Sequence, residues 1–302
     1  MPPTSRPTRA VWDTVAAPHR LNLGLHAMEA NEPWLVIDDD YVQDLAEKHR
    51  LLRDERGQVF VELESSRAAQ AEARKRVIET LLTHYADEFE LNGSQFCVRA
   101  TGEEFDLTEP HTPALEVAAR CTQEDLVVMQ ERPEGWCLTA ASVCFPTRWD
   151  LPTQLGLPMT AIHERVPGYQ EQLNASSNRF FDGMKAGLVF KRGNWSLMDD
   201  PALFQPSGKM QTRERSDLDA SNAGEKIWLR VEHQTLQRLP ATGAILFGIR
   251  IHRTRLDAVA EMPDAARTLL ASIDTMDADM QLYKSLALVR GAATAYLRDA
   301  LV

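Results

Sequence analysis

The sequence lacks the motifs that mark several common cofactor sites. Its four cysteines include no C-x-x-C pair, which excludes the usual zinc and iron–sulfur ligand sets and a secreted disulfide framework. No two histidines stand in an H-x-x-x-H or H-x-H arrangement, so an all-histidine metal site has no support. G-x-G-x-x-G and Walker sequences are also absent, and a built-in nucleotide site is therefore not expected.

Positive charge and long apolar runs are scarce as well. The formal net charge is −11, which argues against nucleic acid as the main partner because phosphate binding needs a basic surface. No apolar run approaches the roughly 20 residues that span a bilayer. The first residues lack the apolar core of a secretory signal. The sequence thus predicts a cytoplasmic protein with no membrane partner.

What is present is the composition of an ordinary globular protein. Hydrophobic residues make up 44% of the 302 positions, which is enough to bury a full core. The chain begins with a run rich in proline and arginine, and we predict that residues 1–20 are disordered or loosely draped. Residues 21–302 are predicted to form a single domain, in which the polar segment 207–224 is a loop.

The spacing of apolar residues predicts a central block of strands with helices before and after it. Helical spacing predicts helices at residues 40–52, 67–89, 113–121 and 169–184, and again from residue 263 onwards. In the third of these, Thr112 is the expected cap and Pro113 the first helical residue. Apolar and alternating runs predict about five strands, at residues 125–130, 135–145, 192–197, 226–237 and 243–252. Their short connections favour an antiparallel sheet with helices segregated around it, an α+β fold.

The predicted strand at residues 226–237 has one polar face. Arg230, Glu232 and Gln234 alternate with apolar residues and therefore share that face. Two interpretations remain open: a solvated outer face, or a buried cluster in which Glu232 attracts a cation and Arg230 clamps an anion. His233 lies on the opposite, apolar face and is a second candidate for a ligand.

A single histidine stands in the most distinctive stretch of the chain, residues 140–200. His163 lies between Pro158 and a Pro-Gly turn, close in sequence to apolar residues and to Tyr169, which could pack a porphyrin. Neutral imidazole is the usual proximal ligand of heme iron, and His163 is our candidate for that role. A core histidine bonded to a backbone carbonyl would fit the same pattern.

Three arginines in the same stretch stand beside an aromatic residue or a glycine. They are Arg148, Arg179 and Arg192. Surface solvation is one interpretation of their positions. The other is that their guanidinium groups hold the carboxylates of heme propionates.

Successive motifs along residues 20–290 are similar to those of one family. The chain resembles the heme-dependent oxidative N-demethylase α-subunit family, the heme subunits of dimethylamine monooxygenases, in the motifs F-P-T-R-W, A-I-H-E-R-V-P-G-Y, N-R-F-F, N-W-S-L-M-D-D-P-A-L-F-Q and L-R-V-E-H-Q-T-L-Q-R-L-P-A-T-G-A-I-L-F-G-I-R. Two positions depart from the family pattern, which usually has proline where Arg165 stands and arginine where His233 stands. The second departure counts against His233 as the ligand.

The resemblance implies a PAS-like heme domain with additional flanking helices. In such a domain an antiparallel sheet cups heme b, with His163 as the ligand of the iron. The resemblance also implies a hetero-oligomer whose partner subunits form the reductase and carry flavin, an iron–sulfur centre and a tetrahydrofolate site. This chain lacks cysteine and nucleotide motifs, which agrees with flavin and iron–sulfur sites on other subunits.

The implied activity is oxidative N-demethylation of a small secondary amine. Dimethylamine would be converted to methylamine and formaldehyde with dioxygen and electrons from the reductase. Because dimethylamine is a cation at neutral pH, a pocket carboxylate is needed to attract it, and Glu232 is our candidate. Arg230 is the second catalytic candidate; it also joins Arg148, Arg179 and Arg192 as a candidate for propionate contacts. A non-catalytic heme or gas sensor, and a structural subunit with a merely packed His163, are the alternatives.

Overall fold

The helices surround one large sheet in the computed structural model, which describes residues 13–14 and 21–302. The draped segment predicted at residues 1–20 lies outside the described residues, apart from residues 13–14. The helices of the described chain are α1 (Tyr41–Asp54), α2 (Arg56–Val59), α3 (Arg67–His84), α4 (Ala114–Arg120), α5 (Met159–Ile162), α6 (Asn174–Gly183), α7 (Ala223–Lys226), α8 (Leu256–Ala260), α9 (Pro263–Thr275), α10 (Ala278–Tyr283) and α11 (Arg290–Ala300).

Seven of the strands form the large sheet, and every pair of neighbours in it is antiparallel. The strands of the described chain are β1 (His26–Ala27), β2 (Phe60–Glu62), β3 (Phe89–Asn92), β4 (Gln95–Val98), β5 (Glu103–Asp106), β6 (Asp125–Arg132), β7 (Gly135–Ser142), β8 (Val189–Met198), β9 (Trp228–Arg238) and β10 (Ile245–Arg255). The order in the large sheet is β1-β8-β9-β10-β6-β7-β2. Strands β3, β4 and β5 form a separate small sheet.

The α+β prediction is confirmed, and so are the five predicted strands, which are β6 to β10. The helices predicted at residues 40–52, 67–89 and 169–184 are also present, although α3 ends at His84 and a π-helical turn, Tyr169–Leu173, precedes α6. One helix start was wrong. Pro113 is extended and caps α4, which begins at Ala114, and no side chain forms a capping hydrogen bond there.

The two faces of the large sheet are covered by different parts of the chain. The back face carries Val128, Leu229 and Leu246, and it packs against α1, α3 and the C-terminal helices. Helix α3 contributes Ala73 and Val77 to this core because residues four apart lie on one side of a helix. The front face carries Val127 and other residues that pack against the segment between β7 and β8.

Candidate functional site

A cavity of about 330 Å³ lies between the front face of the large sheet and the segment between β7 and β8. Strands β6, β8, β9 and β10 each contribute alternate residues to its wall, as a period of two requires. The wall is mainly apolar, with a few charged groups. Its apolar residues include Leu23, Met129, Val166, Phe180, Phe247 and Ile249. This is the composition expected of a binding site for a largely apolar group.

His163 is held over this cavity by the short segment that follows β7. The backbone N–H of Gly156 donates to the Leu138 carbonyl, and the N–H of Leu138 donates to the Leu157 carbonyl, which ties the segment to β7. Helix α5 starts after Pro158 and ends at Ile162, and His163 is its C-cap. The Pro-Gly turn then reverses the chain with Gly168 in the left-handed region, at φ 74°.

The imidazole of His163, which lines the cavity, has one nitrogen fixed by a hydrogen bond and one without a partner in the described chain. Nδ1 lies 2.8 Å from the backbone oxygen of Met159, and since a carbonyl only accepts, Nδ1 carries the proton. Nε2 has no hydrogen-bond partner in the part of the chain that the structure describes. The ring stacks on Tyr169, with centroids 4.6 Å apart and planes 13° apart. Burial lowers the pKa of His163, so the ring is neutral with a free lone pair on Nε2.

Arg192 brings an unpaired positive charge to the same cavity. It lies opposite Gln234 in the pairing of β8 with β9 and lines the cavity wall. Its Nε is buried and has no hydrogen-bond partner among residues 13–14 and 21–302. Burial lowers the pKa of Arg192, while the nearby Glu232 raises it. A buried guanidinium without a partner is costly, which points to an anion that binds there.

Glu232 is the carboxylate of this cavity. Its Oε2 accepts from Gln234 Nε2 at 2.8 Å and from Asn194 Nδ2 at 3.3 Å. Burial would raise the pKa of Glu232, but hydrogen bonds from Thr147 and Asn194, with the charges of Lys209 and Arg230, hold the pKa below its ordinary value of 4.5. Glu232 is thus ionised at neutral pH, and it can bind a cation but is a weak proton acceptor.

A comparison with family models that covers most of the chain identifies its family. Residues 24–294 match the model of the family described as haem-dependent oxidative N-demethylase, alpha subunit-like. The chain belongs to this family. Membership makes the protein an oxidoreductase of the haem-dependent N-demethylase type, and the subunit name indicates an assembly of several subunits. In the described residues, no helix is both long and apolar enough to cross a membrane.

The cavity fits the heme that the family uses. A neutral imidazole with a free Nε2, an unpaired buried guanidinium and apolar walls are the groups that an iron, a propionate and a porphyrin require. No cluster of three or more metal-ligating side chains occurs within residues 13–14 and 21–302. Of the two departures from the family pattern, Arg165 is exposed and does not line the cavity.

His233, the second candidate ligand, lies on the other side of the sheet. It does not line the cavity, and the charges that act on it come from Lys191, Glu32 and Arg250. Burial lowers the pKa of His233, so this ring is also neutral. Its position follows from the period of two in β9, because Glu232 and Gln234 both face the cavity.

Two of the other predicted arginines differ in their surroundings. Arg148 lines the cavity but forms an ion pair with Asp199, which also binds Arg215 at 2.8 Å. Its Nη1 remains buried and has no hydrogen-bond partner in the described chain, so the two N–H groups of this nitrogen are available as donors. Arg179 is exposed on α6 and does not line the cavity, whereas its neighbour Phe180 does.

Arg230 lies behind the cavity wall and holds two loops together. Its side chain is 1% exposed and is not part of the lining. Its guanidinium donates to four backbone carbonyls and one hydroxyl, those of Phe145, Pro146, Ala202, Leu203 and Thr147. The interpretation of a buried cluster is therefore the one that the structure supports for the polar face of β9. Arg230 contacts backbone, and a contact with a cofactor is not shown.

We expect Arg230→Met to destabilise the fold strongly. The substitution leaves several buried carbonyls without donors, and the loss should be about 3 kcal/mol or more in the free energy of unfolding. Urea denaturation followed by circular dichroism measures it. Arg179→Met is the matched control, since its side chain is exposed, and it should unfold like the wild type. Equal midpoints for the two variants would contradict the structural role of Arg230.

Among the cavity residues that were not predicted from the sequence, three have polar side chains near Glu232 or Tyr283. Asn194 could have been found, since it shares a face with Arg192 in the strand pattern R-G-N-W-S. Lys209 and Lys284 come from the segment before α7 and from the end of α10. Lys209 Nζ donates to the Tyr283 hydroxyl at 2.9 Å and lies 4.3 Å from the centroid of that ring. Nothing in the local sequence of either lysine indicates a site.

Proposed function

We propose that this chain is the heme-binding catalytic subunit of a cytoplasmic monooxygenase that removes a methyl group from a small secondary amine. The substrate we assign is dimethylamine, which yields methylamine and formaldehyde. Dioxygen, two electrons and two protons are consumed, and the second oxygen atom leaves as water. What carries the proposal is that one cavity contains both an imidazole with a free Nε2 and a buried, ionised carboxylate.

The residues of the cavity divide into those that would hold heme and those that would bind the amine. His163 would bind the iron through Nε2, and Tyr169 would keep the imidazole plane in place by stacking. Arg192, with Nη1 of Arg148, would hold the propionates. The apolar front face of the sheet would pack the porphyrin, which is the PAS-like arrangement that we propose for residues 21–302 as one domain.

Glu232 would bind the substrate as its ammonium ion. An ionised carboxylate in a largely apolar cavity attracts a small cation and fixes the position of its methyl groups. When bound, heme supplies dioxygen activation and the oxidation of an N-methyl C–H bond. The hydroxymethyl amine that results releases formaldehyde when its C–N bond breaks. The ammonium proton must leave the nitrogen, and because Glu232 is a weak base the proton passes on to solvent water.

Partner subunits complete the proposed enzyme. We propose that they deliver electrons through flavin and an iron–sulfur centre and that they capture formaldehyde on tetrahydrofolate. The family name supports an assembly, because it describes an alpha subunit. The described chain contributes no group of metal-ligating side chains that could replace an iron–sulfur subunit.

Two measurements on the purified chain test the proposal. Protein expressed with ample iron should show the visible absorption of heme. With dimethylamine and a chemical reductant, it should then take up oxygen and release formaldehyde and methylamine in equal amounts. Heme without amine-dependent formaldehyde would identify a sensor, and a colourless protein would indicate a structural subunit. Either result would reject the proposed function.

A further inference from the structure

A buried lysine ammonium lies at one end of the cavity and has no carboxylate partner. Lys284, which follows α10, is 8% exposed, and no carboxylate of the described chain lies within ion-pair distance of it. Its Nζ donates to Asn194 Oδ1 at 3.0 Å and to the Trp195 carbonyl at 2.6 Å. The ammonium also lies 5.4 Å from the centroid of the Trp195 ring, but a buried cation without a carboxylate partner is still costly, so a specific use of this group is expected.

Lys284 determines which way the Asn194 amide points. An asparagine amide has one acceptor and two donors at its end, and it can turn to exchange them. An ammonium group only donates, so Asn194 must direct Oδ1 to Lys284. The Nδ2 group is thereby directed to Glu232 Oε2, at 3.3 Å. If the amide turned over, two oxygens would face each other at Glu232.

The N–H donor of Asn194 affects the ionisation of Glu232. Oε2 accepts from Asn194 and from Gln234, two amides that flank it on β8 and β9. Donors to the charged form of a carboxylate stabilise that form. Because Glu232 is buried, its ionisation depends on such donors and on nearby cations. Any loss of the Asn194 orientation would therefore weaken the carboxylate that the amine is proposed to bind.

We propose that Lys284 is a positioning residue for the amine site, which fixes the Asn194 amide so that Glu232 stays ionised and in place. This inference rests on the proposed function, which assigns the amine to Glu232. Charged groups from three other places also act on Lys284. Glu232 on β9 favours its ammonium form, and Lys209 and Arg192 oppose it. Burial is the largest effect and lowers the pKa of Lys284 to about 8.

The deprotonation of Lys284 does not break the link to Asn194. A neutral amine still has two N–H groups, which is the number that the Asn194 and Trp195 oxygens accept. The orientation of the amide should thus survive above pH 8, where only the positive charge is lost. Removal of the side chain, in contrast, removes the donor at every pH.

The test compares binding of dimethylamine to heme-loaded variants without oxygen or reductant, by calorimetry across a range of pH. On the acid side of the wild-type profile, binding should weaken as the pH falls through the low pKa of Glu232, and this part of the profile is the acid limb. Lys284→Met should move this acid limb upward by about one pH unit, since a donor to the carboxylate is lost. At neutral pH Glu232 remains ionised after such a shift, so binding there should change less than it does in acid.

A double-mutant cycle shows whether Lys284 acts through Asn194. Asn194→Val should shift the acid limb as Lys284→Met does, and the double variant should shift it no further. Lys284→Arg, which keeps the donors, should restore the wild-type limb. If Lys284→Met does not fold, Asn194→Val measures the loss of the donor to Glu232 without introducing a charge and with Lys284 retained.

The outcomes separate this inference from the proposed function. Additive shifts in the double variant, or an unshifted acid limb in Lys284→Met, would overturn the role of Lys284. Glu232→Gln is measured alongside. If that variant binds the amine as tightly as the wild type, the proposed amine site itself fails, whatever Lys284 does.

Discussion

Replacement of His163 by glycine is expected to leave the protein without bound heme. In the wild type the Met159 carbonyl fixes the proton on Nδ1, and Nε2 of this cavity-lining ring has no partner in the described chain. The iron would lose its only protein ligand, because no other imidazole lines the cavity in the described chain. The heme content of purified protein, measured as the pyridine complex, should fall from near-stoichiometric to near zero.

The structure offers a matched control for this prediction. His233 is also a buried, neutral imidazole, but it lies on the back face of the sheet. His233→Gly should retain heme. Free imidazole added to His163→Gly should restore heme binding and its absorption band, since the substitution leaves space for the ring. Full heme content in His163→Gly without imidazole would show that the ligand is a different group.

Replacement of Glu232 by glutamine is expected to weaken binding of dimethylamine about a hundredfold, as loss of one partner from a buried charge pair does. Glutamine keeps the size of the side chain and removes its charge. Turnover at low amine concentration should fall by a similar factor. Oxygen uptake as a function of amine concentration measures both the affinity and the maximal rate.

The pH dependence of amine binding gives the second half of this prediction. The pKa of Glu232 is below 4.5, so its charge is present above that pH and is lost as the pH falls. Wild-type affinity should therefore decline on the acid side, and Glu232→Gln should lack that decline. Glu225→Gln, which removes an exposed carboxylate, should bind like the wild type. An unchanged affinity in Glu232→Gln would remove the amine site from this cavity.

The central sheet was predictable because its signal is local. Strands β6 to β10 show alternation or a long apolar run, and each was found from its own sequence. Edge strands β1 and β2 are two and three residues long, too short for a pattern. The small sheet did have a signal that was missed. Residues Gly93 and Ser94 form the two-residue turn between β3 and β4, and Gly93 has a φ of 62°.

The site was only partly predictable. Alternation of polar and apolar residues in a strand does not indicate which face of the strand lies against another part of the protein. Glu232 was a candidate from its spacing alone, but only the three-dimensional structure puts its face against a cavity. Arg179 is the opposite case, a candidate residue that the structure places at the surface and outside the cavity lining. Consecutive residues of a helix point about 100° apart, so an arginine beside a cavity-lining phenylalanine points elsewhere. Lys284 meets Asn194 across 90 positions of the chain, and local sequence cannot show such a contact.

The residues that line the cavity come from almost the whole length of the described chain. Leu21 and Ser285 both line it, with β6, β8, β9 and β10 between them. The pocket can thus exist only after distant segments have met, late in folding. A ligand that binds only such a completed state stabilises it by mass action. Cofactor binding would then distinguish completely folded chains from incompletely folded ones. Chains with an incomplete cavity wall would bind no cofactor and would be less resistant to proteolysis.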